Sequence, residues 1–238
     1  MAFEHPGEGA LDYLPCRYGS SRILFRGPRK ALSDPYIAFL GGTETYGRFI
    51  VRPFPDVVGD ALGVTGVNLG CVNGGIDVYL KDETLLGISG RAQVTVLQVM
   101  GAHNLSNRFY SVHPRRNDRF VGASPVMQAL FREVDFTEFA FTRHLMSSLR
   151  SICPERFEHV VTELQTAWVA RMRTLLQAID GPKLLLWLAD HRPENASAAR
   201  AGYRNDPLYV ERAMLNALEG LHDGCIEVVY DPEIRGTR

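Results

Sequence analysis

PYIAFLGGTETYGRFI, residues 35–50, runs from a continuously apolar segment into two glycines, a threonine and a stretch of helical character. An apolar run without alternation suits a strand buried on both faces of a parallel sheet. The paired glycines permit a sharp strand-to-helix turn and close approach of the backbone to a ligand. Three further runs have the same character: VTGVNLG (64–70), VTVLQVMG (94–101) and KLLLWLAD (183–190), with a fifth, IEVVYD (226–231), near the C-terminus.

Helical patterns separate these strands. FPDVVGDALG (54–63) and KDETLLGISGR (81–91) are short, and YVERAMLNALEGL (209–221) is an amphipathic candidate before the last strand. The clearest is 154–181, where Phe157, Val160, Val161, Leu164, Trp168, Leu175 and Ile179 recur near a 3.6-residue period between Pro154 and Gly181. Alternating strands and helices predict right-handed crossovers and a three-layer α/β/α sandwich with a mainly parallel, flavodoxin-like sheet. Residues 1–238 read as one domain, in which 1–34 form an N-terminal extension packed across the sheet edge or over the site. Residues 106–153 read as a helical insertion beside the site.

Hydrophobic residues at 45% and charged residues at 22% are ordinary for a globular protein, and a net charge of -1 gives no global attraction to nucleic acid or an anionic membrane. No secretory leader pattern opens the chain and no apolar run approaches a membrane span, so a cytoplasmic protein with no membrane partner is expected. Cys16, Cys71, Cys153 and Cys225 form no CxxC pair and read as free thiols. There is no HExxH, no GxxxxGK[ST] and no GxGxxG in a βαβ setting, so neither a metal nor a cofactor is expected.

In an open parallel sheet, ligands bind beyond the carboxyl ends of the strands. That rule selects Gly41–Gly47, Gly70–Gly75, Gly101–Asn107 and Asp190–Arg192. In the first, Thr43 reads as a nucleophile or oxyanion donor, the turn as a cradle for a phosphate or carboxylate, or Thr43 or Thr45 simply as a helix cap.

GGTETYG (41–47) resembles the first block of the SGNH, or GDSL-type, hydrolases, Gly-Asp-Ser-x-Thr-x-Gly, with Gly41, Thr45 and Gly47 kept. VNLGCVNGG (67–75) is similar to their second block, and VLQVMGAHN (96–104) to their third, which ends Gly-x-Asn-Asp. Gly42-Thr43 stand where the family has Asp-Ser, and His103-Asn104 where it has Asn-Asp. NDPLYV (205–210) keeps the Asp of the last block as Asp206 but has Tyr209 in place of the histidine.

The resemblance implies an esterase or acyltransferase for an acylated carbohydrate-type substrate, with a degenerate triad. Thr43 is then nucleophile or oxyanion donor, and Gly42, Gly70, Asn73, Gly74 and Asn104 supply donors to the oxyanion. His103 or His191 serves as base with Asp206, because a phenol such as Tyr209 is a poor base at neutral pH. The alternative is a non-hydrolytic binding protein for a phosphorylated ligand, a nucleotide, coenzyme A or sugar phosphate. That reading draws on Tyr209 and on Arg115 and Arg116 in RFYSVHPRRNDRF (108–120), whose forked donors suit oxyanions. Either way the expected partner is a small-molecule or carbohydrate ligand and not nucleic acid.

Overall fold

The computed structural model describes residues 11–196 and 206–231. Five strands, β1 (Tyr36–Leu40), β2 (Thr65–Asn68), β3 (Val94–Gln98), β6 (Lys183–Ala189) and β7 (Gly224–Val229), form one sheet in the order β2-β1-β3-β6-β7. Every neighbouring pair is parallel. The apolar runs therefore fold as their composition predicts, into an α/β domain.

Side chains of β1 divide between two cores. Tyr36, Ala38 and Leu40 enter the larger one, while Ile37 and Phe39 join Val96 and Leu186 in a small cluster on the opposite face. The small cluster is closed by Phe54 and Val58 of α2 (Phe54–Leu62), with the Phe39 and Phe54 rings edge to face. Against the larger core lie α3 (Ile76–Leu80), α4 (Glu83–Gly90) and the long α7 (Pro154–Ala178). The predicted stripe on α7 is buried throughout, and Trp168 Nε1 donates to Met100 O at 2.8 Å, tying the helix to the loop after β3. Met214 and Leu215 of α8 (Arg212–Asn216) complete the same layer.

The insertion departs from the helical expectation. It begins as an antiparallel hairpin, β4 (Tyr110–His113) with β5 (Arg116–Ala123), and only then becomes α5 (Pro125–Leu130), a 3-10 turn at Phe136–Glu138 and α6 (Thr142–Ile152). Tyr110 and Val112 are buried and Ser111 between them is exposed, the period of two that a strand requires. Asn117, fully buried, accepts from Gly75 N at 2.8 Å and donates to His113 O at 3.0 Å, so the hairpin is fastened to the loop after β2.

The described part of the N-terminal extension packs on the helical side, not over the site. Tyr18, Ile23 and Phe25 enter the larger core, and Ser21 Oγ donates to Asp82, the cap of α4, at 2.6 Å. No helix among the described residues is long and apolar enough to cross a membrane.

Between β1 and β3 the chain reverses direction across the sheet: it passes from β1 outward to β2, then returns over β1 to β3. Such a switch leaves a crevice between the carboxyl ends of the two central strands. The loops that leave β1 and β3 carry Thr43 and His103 into that crevice.

Candidate functional site

The turn after β1 is held by one side chain from the neighbouring strand. Gln98 Oε1 accepts from Gly42 N at 3.0 Å, Thr45 Oγ1 at 2.6 Å and Thr45 N at 3.3 Å, while its Nε2 donates to Glu44 at 2.9 Å. A Cβ on Gly41 would lie 2.1 Å from Thr45 Oγ1 and 2.4 Å from Gln98 Oε1, which is why the turn needs glycine there. Thr45 is thus a buried brace for the turn. Thr43, the first residue of α1 (Thr43–Tyr46), turns its side chain toward the loop after β2.

That loop meets it through Asn73. Thr43 Oγ1 donates to Asn73 Oδ1 at 3.3 Å and accepts from Asn73 N at 3.0 Å. Asn73 adopts φ +55, in the left-handed region where Asn is among the few tolerated side chains, and its Nδ2 donates to Asp118 Oδ2 at 3.2 Å. The other Asp118 oxygen, Oδ1, is buried and has no partner. The Cys71 thiol beneath is pushed up to about 11, first by burial and then by the Asp118 charge, so it stays protonated at neutral pH.

From β3 come His103 and Asn104. Asn104 Oδ1 accepts from Thr142 Oγ1 at 2.7 Å, leaving its Nδ2 uncommitted. His103 is 2% exposed, its Nδ1 is buried without a hydrogen bond, and its backbone oxygen accepts from Tyr110 at 2.7 Å. Burial foremost, and the nearby Arg143 charge second, hold the imidazole well below its usual range, so it is neutral at neutral pH. Arg143 itself pairs with Asp206 across the mouth.

These groups enclose a cleft of about 320 Å³ lined by Gly42, Thr43, Asn73, Gly74, His103, Asn104 and Asp206 among the expected residues. Glu44, inside the turn that the strand-end rule selects, also lines it, as do Gln98, Asp118, Thr142 and Arg143, which the sequence reading does not place there. The polar Gln98 inside an otherwise apolar strand was the signal for one of them. Asp118, Thr142 and Arg143 come from the insertion, and nothing local in the sequence distinguishes them from surface residues. The Tyr230 hydroxyl is raised first by burial and then by the charges of Asp190, Glu44 and Asp206.

The remaining expected residues lie elsewhere. Gly70 packs against α1, where a Cβ would stand 2.3 Å from Tyr46 N, so its role is close approach of two backbones. His191 does not line the cleft: its Nδ1 is 2.7 Å from Asp190 Oδ1 and its ring meets Trp187 edge to face. Arg115 and Arg116 stand at the tip of the hairpin, Arg115 lining a separate surface groove with Arg22 and Lys81. Tyr209 is buried against Phe157, behind the cleft wall.

The donors follow a similar division. The N–H groups of Gly42, Asn73 and Gly74 are taken by Gln98, Thr43 and Cys71 O. Among the described residues, the Thr43 N–H at the start of α1 and the Asn104 Nδ2 remain free to meet a ligand oxygen. No group of ligating side chains suited to a metal ion occurs among the described residues.

No curated protein and no solved structure matches the chain. A family model does match it, over residues 1–238, and the chain belongs to that family, a domain of unknown function designated DUF6473.

Proposed function

We propose that the cleft is an SGNH-like ester hydrolase or acyltransferase site for an acylated carbohydrate-type substrate. The observation that carries this reading is the convergence of Thr43, Asn73, His103, Asn104 and Asp206, residues from four separate blocks of the sequence, on one crevice at the switch point of the sheet. Thr43 Oγ1 forms the bond to the acyl carbon, and the neutral His103 takes the hydroxyl proton and returns it to the departing alcohol. The Thr43 N–H and Asn104 Nδ2 hold the developing oxyanion. Attack requires Thr43 to release its hydrogen bond to Asn73 Oδ1, since an amide oxygen is no base. Water, or a second alcohol for transfer, then resolves the acyl-Thr43.

A panel of acetylated sugars and p-nitrophenyl acetate offered to wild type, Thr43→Ala and Asn104→Ala tests this reading. Turnover that falls by about 100-fold or more in both variants supports it, the usual consequence of losing an oxyanion donor or nucleophile. Equal rates in all three proteins sink it.

A second reading, binding without turnover, draws on the two hydrogen bonds that hold Thr43 to Asn73 and on the burial of Tyr209 at the position where the SGNH hydrolases have their histidine. In that case the ligand is not selected by Arg115 and Arg116, which lie away from the cleft.

A further inference from the structure

We propose that the ring of Phe141 is a platform on which the sugar ring of the ligand stacks, so that the cleft selects a cyclic sugar over an open-chain polyol. The inference rests on the reading of this cleft as a carbohydrate-type ligand site, and not on its turning anything over. Among the described residues that line the cleft, Phe141 is the one Phe, Tyr or Trp, and it is 42% exposed, whereas Val99 and Met100 of the same lining are buried. Its position breaks two local rules. Phe141 is the N-cap of α6, where Ser, Thr, Asp or Asn usually supplies an acceptor, and it makes no side-chain capping bond. The buried stripe of α6 is Thr142, Leu145, Met146 and Leu149, and the Phe141 ring takes no part in the core. Local rules broken with no gain in packing mark a functional position.

The ring is exposed yet held in place. Phe141 forms an antiparallel bridge with Arg119 of β5, Phe120 N donates to Ala140 O at 3.1 Å, and Leu145 N donates to Phe141 O at 3.1 Å. The Arg119 guanidinium lies over the ring, 4.1 Å from its centre, and covers one face. The opposite face is left for a ligand, and a ring already fixed loses little freedom on binding. The next residue, Thr142, donates to Asn104 Oδ1 at 2.7 Å, which ties the platform to the side chain that offers its Nδ2 to a ligand oxygen. A phenyl face carries partial negative charge and attracts polarised C–H bonds. A ligand that lies on it and also meets Asn104, Arg143 and Asp206, which line the same cleft, has a C–H face and a rim of oxygens. A pyranose combines the two in one rigid ring. An open-chain polyol has the oxygens without a fixed C–H face, and a wholly apolar ligand would take water from the polar groups and replace none of its hydrogen bonds.

Proton NMR titrations of wild type, Phe141→Leu and Phe141→Trp with methyl β-glucopyranoside, methyl β-galactopyranoside and sorbitol test the inference. In wild type, at least one pyranoside is expected to bind tighter than sorbitol, with the protons of one face of the sugar shifted upfield by the ring current of Phe141. Phe141→Leu keeps an apolar side chain but no ring, and is expected to weaken that pyranoside by about fivefold, to remove the upfield shift and to leave sorbitol unchanged. Phe141→Trp keeps a ring and is expected to retain both the affinity and the shift. If Phe141→Leu fails to fold, the face-selective shift in wild type still decides. No binding of either pyranoside to wild type, sorbitol binding as tightly as both, or affinity and shift unaltered in folded Phe141→Leu overturns the proposal. Because these titrations read binding alone, a face-selective shift in a protein inactive on every ester would dismiss the hydrolase reading and leave the platform standing. Ester turnover together with pyranoside binding unaltered in Phe141→Leu would do the reverse.

Discussion

Replacing Gln98 by leucine isolates the side chain that shapes the turn after β1. The substitution nearly conserves volume, so cavity and overpacking effects are small. It removes the acceptor for Gly42 N at 3.0 Å and Thr45 Oγ1 at 2.6 Å, both buried, and for Thr45 N at a longer 3.3 Å. A buried donor left without an acceptor costs about 1–3 kcal/mol. Taking about 1.5 kcal/mol for each of the two short bonds gives a loss of about 3 kcal/mol. For a chain of this size that lowers the melting temperature by roughly 6–12 °C. Urea titration and thermal melting of wild type and variant measure it. Gln98→Glu is the companion: it keeps the acceptors but sets a second carboxylate beside Glu44, so its deficit should shrink as the pH falls and one of the two is protonated. A loss below about 1 kcal/mol for Gln98→Leu would refute the claim that this residue organises the turn, since it would leave each buried bond worth less than the usual minimum.

Other outcomes follow from the same geometry. His103 has its folded pKa below the unfolded value near 6.5, so its contribution is fully present above that pH and is lost as the pH falls below it, with a slope approaching 1.4 kcal/mol per pH unit; His103→Gln should flatten this part of the stability profile between about pH 6.5 and 5 in urea titrations. Gly70→Ala forces a methyl to 2.3 Å from Tyr46 N and should destabilise by about 1–3 kcal/mol or more in urea titrations. Arg171→Met leaves the fully buried Asp77 with the Ser106 N–H but without the guanidinium that its Oδ1 meets at 2.9 Å, and should cost about 1–3 kcal/mol by chemical denaturation.

How far the sequence reveals the molecule depends on the kind of signal each element carries. Strands β1, β2, β3 and β6 are written in continuous apolar runs, and α7 in a long periodic stripe, because burial on two faces or one leaves patterns that survive without tertiary information, whereas the edge strand β7 is largely exposed. The hairpin β4–β5 is hidden: its alternation at Tyr110 and Val112 is brief, its register shifts twice, and its tip is the charged HPRRND. Hiding the hairpin hid Asp118 with it. Thr43, Asn73 and His103 are legible because they follow strands that end at one edge of the sheet. His191 follows a strand too, but Asp190 and Trp187 hold it aside, a matter of side-chain packing that position alone does not encode. Asp206 and Tyr209 are close in sequence and part in space, the one at the cleft mouth and the other in the core.

Trapping the acylated protein distinguishes nucleophilic attack by Thr43 from any other route to turnover. Wild type and Thr43→Ala are mixed with an acetylated sugar, quenched in acid during turnover and digested for peptide mass spectrometry. An acetyl group is expected on Thr43 in the peptide spanning the turn after β1, and none on that peptide in the variant. Turnover by wild type with the acetyl group on another residue, or turnover undiminished in Thr43→Ala, would contradict it.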